Sequence, residues 1–195
     1  MFVLDAKNIK NAKITIFLIT FNTLLYFFFS FGLDDLDDVF YLLVQINSKV
    51  IYDLEIWRLV TSMFLHGDTL HLVSNMISLL IFGSYVELSF SKYKFVVIYF
   101  ISGILGSLFT IFFLPLNAIS LGASGAIFGL IGAALSISIV ERNAPLIILG
   151  LVYAFYFVIS SFAPGINYFA HIFGLLGGFV TGYIFRRNTR KEQPY

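Results

Sequence analysis

The chain has 195 residues, of which 59% are hydrophobic and only 12% charged, with a formal net charge of +1. Soluble domains run about 45–50% apolar and about 25% charged, so this composition, with a mean hydropathy of +0.92, points to an integral membrane protein. There is no cysteine, which excludes a disulfide framework, a thiolate nucleophile and a cysteine-based metal site, and the near-neutral charge gives no reason to expect nucleic acid as a partner.

The N-terminal stretch "MFVLDAKNIKNAK" carries lysines together with Asp5 and lacks arginine, unlike an Arg-rich, acid-poor presequence. The apolar run after it is too long for a signal peptide and has no small-residue cleavage site, so it reads as a first membrane span. A helix needs about 20 apolar residues to cross the hydrocarbon core. Six segments qualify, roughly 14–33, 67–87, 95–114, 122–140, 145–162 and 168–185. The one long connection, 34–66, holds Trp57, Arg58 and the acidic run "DDLDD". The others are short, among them "PLNAIS" and the helix-breaking "APGIN". The expectation is an all-α membrane protein, a six-span bundle in a single domain over 1–195.

Cytoplasmic loops retain Lys and Arg. With the N-terminus inside, the inner segments carry Lys7, Lys10, Lys13, Lys92, Lys94, Arg142, Arg186, Arg187, Arg190 and Lys191, while only Lys49 and Arg58 fall outside. Asp34, Asp35, Asp37, Asp38, Asp53, Glu55 and Asp68 fall on the outer side. Both termini are therefore expected in the cytoplasm, as a segment 1–13 and a tail 186–195.

Three polar stretches interrupt the apolar spans: "HLVSN" (71–75), "GASG" (122–125) and "NYFAH" (167–171). They open spans two, four and six, which all begin on the outer face, so His71, Ser124 and His171 are expected at one depth. Asn75 follows His71 by four residues and shares its helix face. Singly, each has a plainer explanation: GxSG as a packing motif, a histidine at the interface, an asparagine as interhelical glue. Together, at one level from three helices, they mark a site, because ionisable groups in a membrane are costly. Small residues recur every four positions at Gly125, Gly129 and Ala133, and at Ala170, Gly174, Gly178 and Gly182. Such ladders let helix backbones approach closely. If the two ladders face each other, Ser124 and His171 meet beside the seam.

A serine hydroxyl needs a base to remove its proton before it becomes a competent nucleophile, and His171 suits that role. No carboxylate partner is evident, since Glu87 falls at the opposite end of span two, so a Ser–His dyad is expected. His71, Asn75 and the Ser124 backbone N–H are candidate oxyanion donors, aided by the unpaired N–H groups opening span four.

With these motifs in place, the chain resembles the rhomboid intramembrane serine proteases over essentially its whole length. The resemblance rests on "WR" (57–58), "HGDTLHLVSN" (66–75), "GASGAIFG" (122–129) and "AHIFGLLGG" (170–178). It implies Ser124 as nucleophile, His171 as general base, and His71 and Asn75 in the oxyanion hole. His66 and Gly67 would support the first loop, Trp57 and Arg58 would anchor it, and Glu87 resembles a structural glutamate. Phe128, where some members carry tyrosine, would stack on His171. The six-span form is similar to the simpler bacterial members of a plasma membrane, with the site opening to the extracytoplasmic side. Substrates would be transmembrane segments of other proteins, cut near their outer ends, with no cofactor and no metal.

The "PLNAIS" and "APGIN" loops are expected to flank the entrance, and span five, rich in Phe and Tyr, to serve as its movable side wall. The main alternative is a non-catalytic protein of the same fold that binds transmembrane segments for trafficking or degradation. A transporter is disfavoured by the lack of a repeat or broken helix pair. Zinc hydrolysis is disfavoured because there is no HExxH and His66 and His71 are five apart. An aspartyl protease would need mid-span aspartates.

Overall fold

The computed structural model describes residues 9–31, 36–162 and 165–191. Most of the expected 1–13 segment, Asp34 and Asp35 of the acidic run, Ala163 and Pro164 of "APGIN", and the last four residues of the tail lie outside the described residues.

In chain order the elements are α1 (Lys13–Phe31), α2 (Asp37–Leu43), β1 (Gln45–Ile46), α3 (Asn47–Tyr52) and α4 (Arg58–Thr61). They continue with α5 (Thr69–Ser89), α6 (Lys92–Phe113), β2 (Ile119–Ser120), α7 (Ser124–Val140), α8 (Ala144–Ser160) and α9 (Tyr168–Lys191). The six apolar segments coincide with α1 and α5 to α9 to within a few residues. The exception is α9, which runs on to Lys191 rather than stopping at 185. Four helices, α1, α5, α6 and α9, are long and apolar enough to cross a membrane. Helices α7 and α8 have 17 residues each, about 26 Å of rise, the lower end of the range of about 17–25 residues seen for spanning helices.

Local chemistry sets the helix starts. Asp68 caps α5 by accepting from the His71 N–H at 2.8 Å, Asn143 caps α8 at the Leu146 N–H, and Asn167 accepts from the Ala170 N–H at the start of α9. Each satisfies a backbone donor left open by helix geometry. Helix α7 has no side-chain cap and is entered through Gly122, whose φ of +120° few other residues tolerate. Midway along α5, residues Leu79–Gly83 widen into a π-helical turn.

Helix α7 is the axis of the bundle, apolar all round and buried along most of its length, as a central helix should be. Helix α9 packs along it with the two small-residue ladders in register. A Cβ built on Gly174 would fall on the Gly125 carbonyl oxygen, one on Gly178 on the Gly129 carbonyl oxygen, and one on Gly182 against Ala133. The backbones touch, and no side chain fits between them.

The two ends of the bundle are tied differently. At one end the Glu87 carboxylate accepts from the Ile14 N–H at 3.0 Å, the Thr15 N–H at 2.7 Å and the Thr15 hydroxyl at 2.8 Å. An anion thus caps the first turn of α1 from 72 residues away. Arg186 of α9 pairs with Glu141 and donates to the Ser89 carbonyl at the same end. At the other end, Tyr26 of α1 meets the Thr69 hydroxyl of α5 at 2.8 Å.

Residues 36–66 of the connection, which reads from sequence only as a long loop, are folded across that second end. Its strand β1 pairs antiparallel with β2, Gln45 opposite Ser120 and Ile46 opposite Ile119. Gln45 donates to the Ser107 carbonyl, and the fully buried Asn47 side chain donates to the carbonyls of Thr110, Leu114 and Pro115. These bonds tie the connection to the end of α6, where the Thr110 carbonyl also accepts from the Leu114 N–H at 2.9 Å. Arg58 is buried and donates to the carbonyls of Tyr41 and Val44 at 2.5 and 2.6 Å, while the half-exposed Trp57 donates to Leu42.

Candidate active site

Ser124 is the first residue of α7, and Gly122 delivers it there. A Cβ on Gly122 would lie 2.7 Å from the His71 ring, so the turn needs glycine for both its φ and its closeness to α5. The Ser124 hydroxyl lies 2.8 Å from His171 Nε2, within the range of about 2.6–3.2 Å that proton transfer from a nucleophile to its base requires. The facing ladders of α7 and α9 account for this contact, because bulkier seam residues would hold the two helices apart. One turn below Ser124, Phe128 stacks on the His171 ring at 4.1 Å with 9° between planes.

The other ring nitrogen is also held. His171 Nδ1 lies 2.6 Å from the Ser161 hydroxyl, just past the end of α8. Sequence reasoning, which seeks a carboxylate in that place, does not single out Ser161. A lone serine in "VISSFAPG" carries no periodic or motif signal to separate it from its neighbour Ser160.

His71 and Asn75, a turn apart on α5, line the same cavity as Ser124 and His171, a space of about 710 Å³ between α5, α7, α8 and α9. Asn75 is 7% exposed, and its amide nitrogen has no acceptor among the described residues. A buried donor in that state is costly unless something else fills its valence. Ile119 and Ser120 of "PLNAIS" and Gly165, Ile166 and Asn167 of "APGIN" border this cavity, and Tyr156, Phe157 and Ser160 of α8 form its side. Asn167, which sequence reasoning also passes over, joins three elements there. Its amide nitrogen donates to Thr110 at 2.7 Å and to Ser120 at 3.1 Å, while its oxygen caps α9 one turn before His171.

The remaining motif residues lie around the site rather than in it. His66 is buried, with its ring 5.0 Å from that of His71. Burial, with His71 beside it, pushes its imidazole down to about 3, so it is neutral at ordinary pH. Gly67 borders the cavity mouth, and Glu87 sits at the far end of α5 on the first turn of α1. Among the described residues, no group of three or more His, Asp or Glu side chains is arranged to hold a metal.

A polytopic helical membrane protein with a Ser–His pair at a cavity within its helix bundle is the class these features define. A family model described as "Rhomboid domain" matches residues 53–188, more than half of the chain, and the chain belongs to the rhomboid family. It is 41% identical over 142 residues to "RHOMBOID-like protein 6, mitochondrial" of Arabidopsis thaliana, covering 70% of this chain and 46% of that protein. YdcA of Bacillus subtilis (strain 168) is 36% identical over 148 residues, 72% of each. "Inactive RHOMBOID-like protein 8" of Arabidopsis is 41% identical over 133 residues, 65% of this chain and 36% of that one. The chain thus spans less than half the length of these plant relatives.

Proposed function

We propose that this chain is an intramembrane serine endopeptidase that hydrolyses peptide bonds in or near transmembrane segments of other membrane proteins. The observation that carries the proposal is the 2.8 Å contact between Ser124 and His171 Nε2 at a cavity that His71, Asn75 and Asn167 also line, inside an apolar bundle. In this reading His171 takes the Ser124 proton as the oxygen attacks the scissile carbonyl, and it returns that proton to the departing amine. Water, deprotonated by the same imidazole, then releases the acyl group and restores the serine. The open Asn75 amide, His71 and the Ser124 N–H stabilise the oxyanion. Removing one such donor typically costs about 2.7–4 kcal/mol of barrier.

The same reading takes α1 and α5 to α9 as six spans of one domain over 1–195, with both termini cytoplasmic by the distribution of Lys and Arg. The cavity then opens to the extracytoplasmic side of a plasma membrane, where a substrate helix can unwind into it. A peptide bond inside a helix is shielded by its own hydrogen bonds, and non-helical backbone is tolerated at membrane depth only where protein or water lines it. Likeness to a relative named as inactive supports one second reading, a non-catalytic protein that binds transmembrane segments.

The test is reconstitution with a fluorogenic membrane-anchored peptide, without added metal. Wild type should turn over, and Ser124→Ala and His171→Ala should be folded and inactive. Asn75→Ala should be slowed, by about a hundredfold or more. Activity persisting in Ser124→Ala rejects the proposal, and no turnover by wild type favours the binding role.

A further inference from the structure

We propose that Ser161 is a positioning residue that sets the tautomer of His171. The inference rests on the protease reading for its consequence in catalysis, and on geometry alone for the tautomer. Among the described residues, the Ser161 hydroxyl has two neighbours within hydrogen-bond distance: the Phe157 carbonyl at 2.7 Å and His171 Nδ1 at 2.6 Å. A carbonyl oxygen only accepts, and a serine has a single proton to give. The Phe157 carbonyl also accepts from the Ser160 hydroxyl at 2.8 Å and the Ser161 N–H at 3.1 Å. With the Ser161 proton directed there too, at the shortest of the three distances, the contact with the ring is Nδ1–H donating to Ser161. The proton is then on Nδ1, and Nε2 faces Ser124 with a free lone pair, the form able to take the serine proton. Ser161 is 2% exposed, so its hydroxyl meets little solvent.

The arrangement differs from an acid–base–nucleophile triad in one respect. A neutral hydroxyl orients the ring but contributes little to holding the positive charge that the ring acquires, whereas a buried carboxylate does both. Phe128 fixes the plane of the ring, and Ser161 fixes its protonated edge. Because Ser161 ends α8 while Ser124 opens α7, the residue also makes the state of the base depend on where α8 sits.

Two variants separate hydroxyl from shape: Ser161→Thr keeps a hydroxyl able to bond the carbonyl four residues back, and Ser161→Val has the same outline without it. In protein labelled with ¹⁵N-histidine, with the His171 signals assigned by their loss in His171→Ala, wild type and Ser161→Thr should hold the Nδ1–H form. Ser161→Val should shift toward the Nε2–H form. With the membrane-anchored peptide, kcat of Ser161→Val should fall about ten- to hundredfold with KM unchanged, and Ser161→Thr should recover most of it. A wild-type Nε2–H tautomer, or a tautomer unchanged in Ser161→Val, overturns the proposal, and equal kcat for Thr and Val overturns only its consequence for catalysis. Where kinetics and NMR differ, the tautomer decides, and if Ser161→Val does not fold, the wild-type tautomer alone decides. Failure of Ser124→Ala to abolish turnover would reject the protease reading while leaving the tautomer measurement standing.

Discussion

Helices α7 and α8 follow one another in the chain, have 17 residues each and are both strongly apolar, yet their surroundings are opposite. Most of α7 is buried, whereas Ala154 is the one buried residue of α8. Side-chain size separates them. Gly, Ala and Ser dominate the contact faces of α7, while Ile148, Phe155 and Ile159 of α8 stand outward and exposed. Lipid tails are as apolar as leucine, so oiliness alone gives helices no reason to associate in a bilayer. Close packing of small residues does. The buried helix carries Ser124, and the more exposed one walls the cavity and reaches His171 through the Ser161 hydroxyl just past its end.

The sharpest way to break this contrast is to overfill the seam. Gly178→Val would drive its Cβ into the Gly129 carbonyl oxygen, which is backbone and cannot step aside. It should lower stability by at least about 3 kcal/mol, read by thermal unfolding in detergent, and abolish labelling of Ser124 by a serine-directed probe. A smaller and more selective effect is expected from tying α8 down. Phe82 of α5 and Tyr153 of α8 have ring centroids 6.1 Å apart, and the chain has no native cysteine. A bifunctional thiol reagent long enough to bridge Phe82→Cys and Tyr153→Cys should slow cleavage of membrane-anchored substrates about tenfold or more and leave short soluble peptides unaffected, as expected of a gating element. Unchanged rates would reject α8 as a gate. The smallest effect belongs to Gly150→Ala on α8. Its Cβ would come tight only against the end of the flexible Leu135 side chain, at 3.1 Å, with the rest of Leu135 at ordinary contact distance, so the unfolding free energy should move by no more than about 1 kcal/mol. A loss as large as that of Gly178→Val would erase the distinction between the two helices.

Much of the contrast is legible in the amino-acid sequence. The ladders through Gly125 and Gly174 show as four-residue spacing, and that spacing foretells the approach of Ser124 to His171, because backbone proximity follows directly from residue size. The stacking of Phe128 comes from family resemblance, not from periodicity. The architecture of 34–66 is opaque, since α3 and β1 are too short to be amphipathic and are held by distant acceptors such as Leu114 and Pro115. Ser161 is opaque for a related reason. A hydroxyl at the frayed end of a helix becomes informative only when the ring it touches is known.

The carboxylate of Glu87 on the first turn of α1 has a consequence for biosynthesis. The opening amides of α1 find their acceptor 72 residues downstream, so a ribosome adding about 5–20 residues per second leaves them waiting for several seconds. During that interval the nascent first helix depends on lipid headgroups, water or the insertion machinery, and its depth can still adjust. Arrival of Glu87 ends that freedom, locking the start of α1 only after most of α5 has been made.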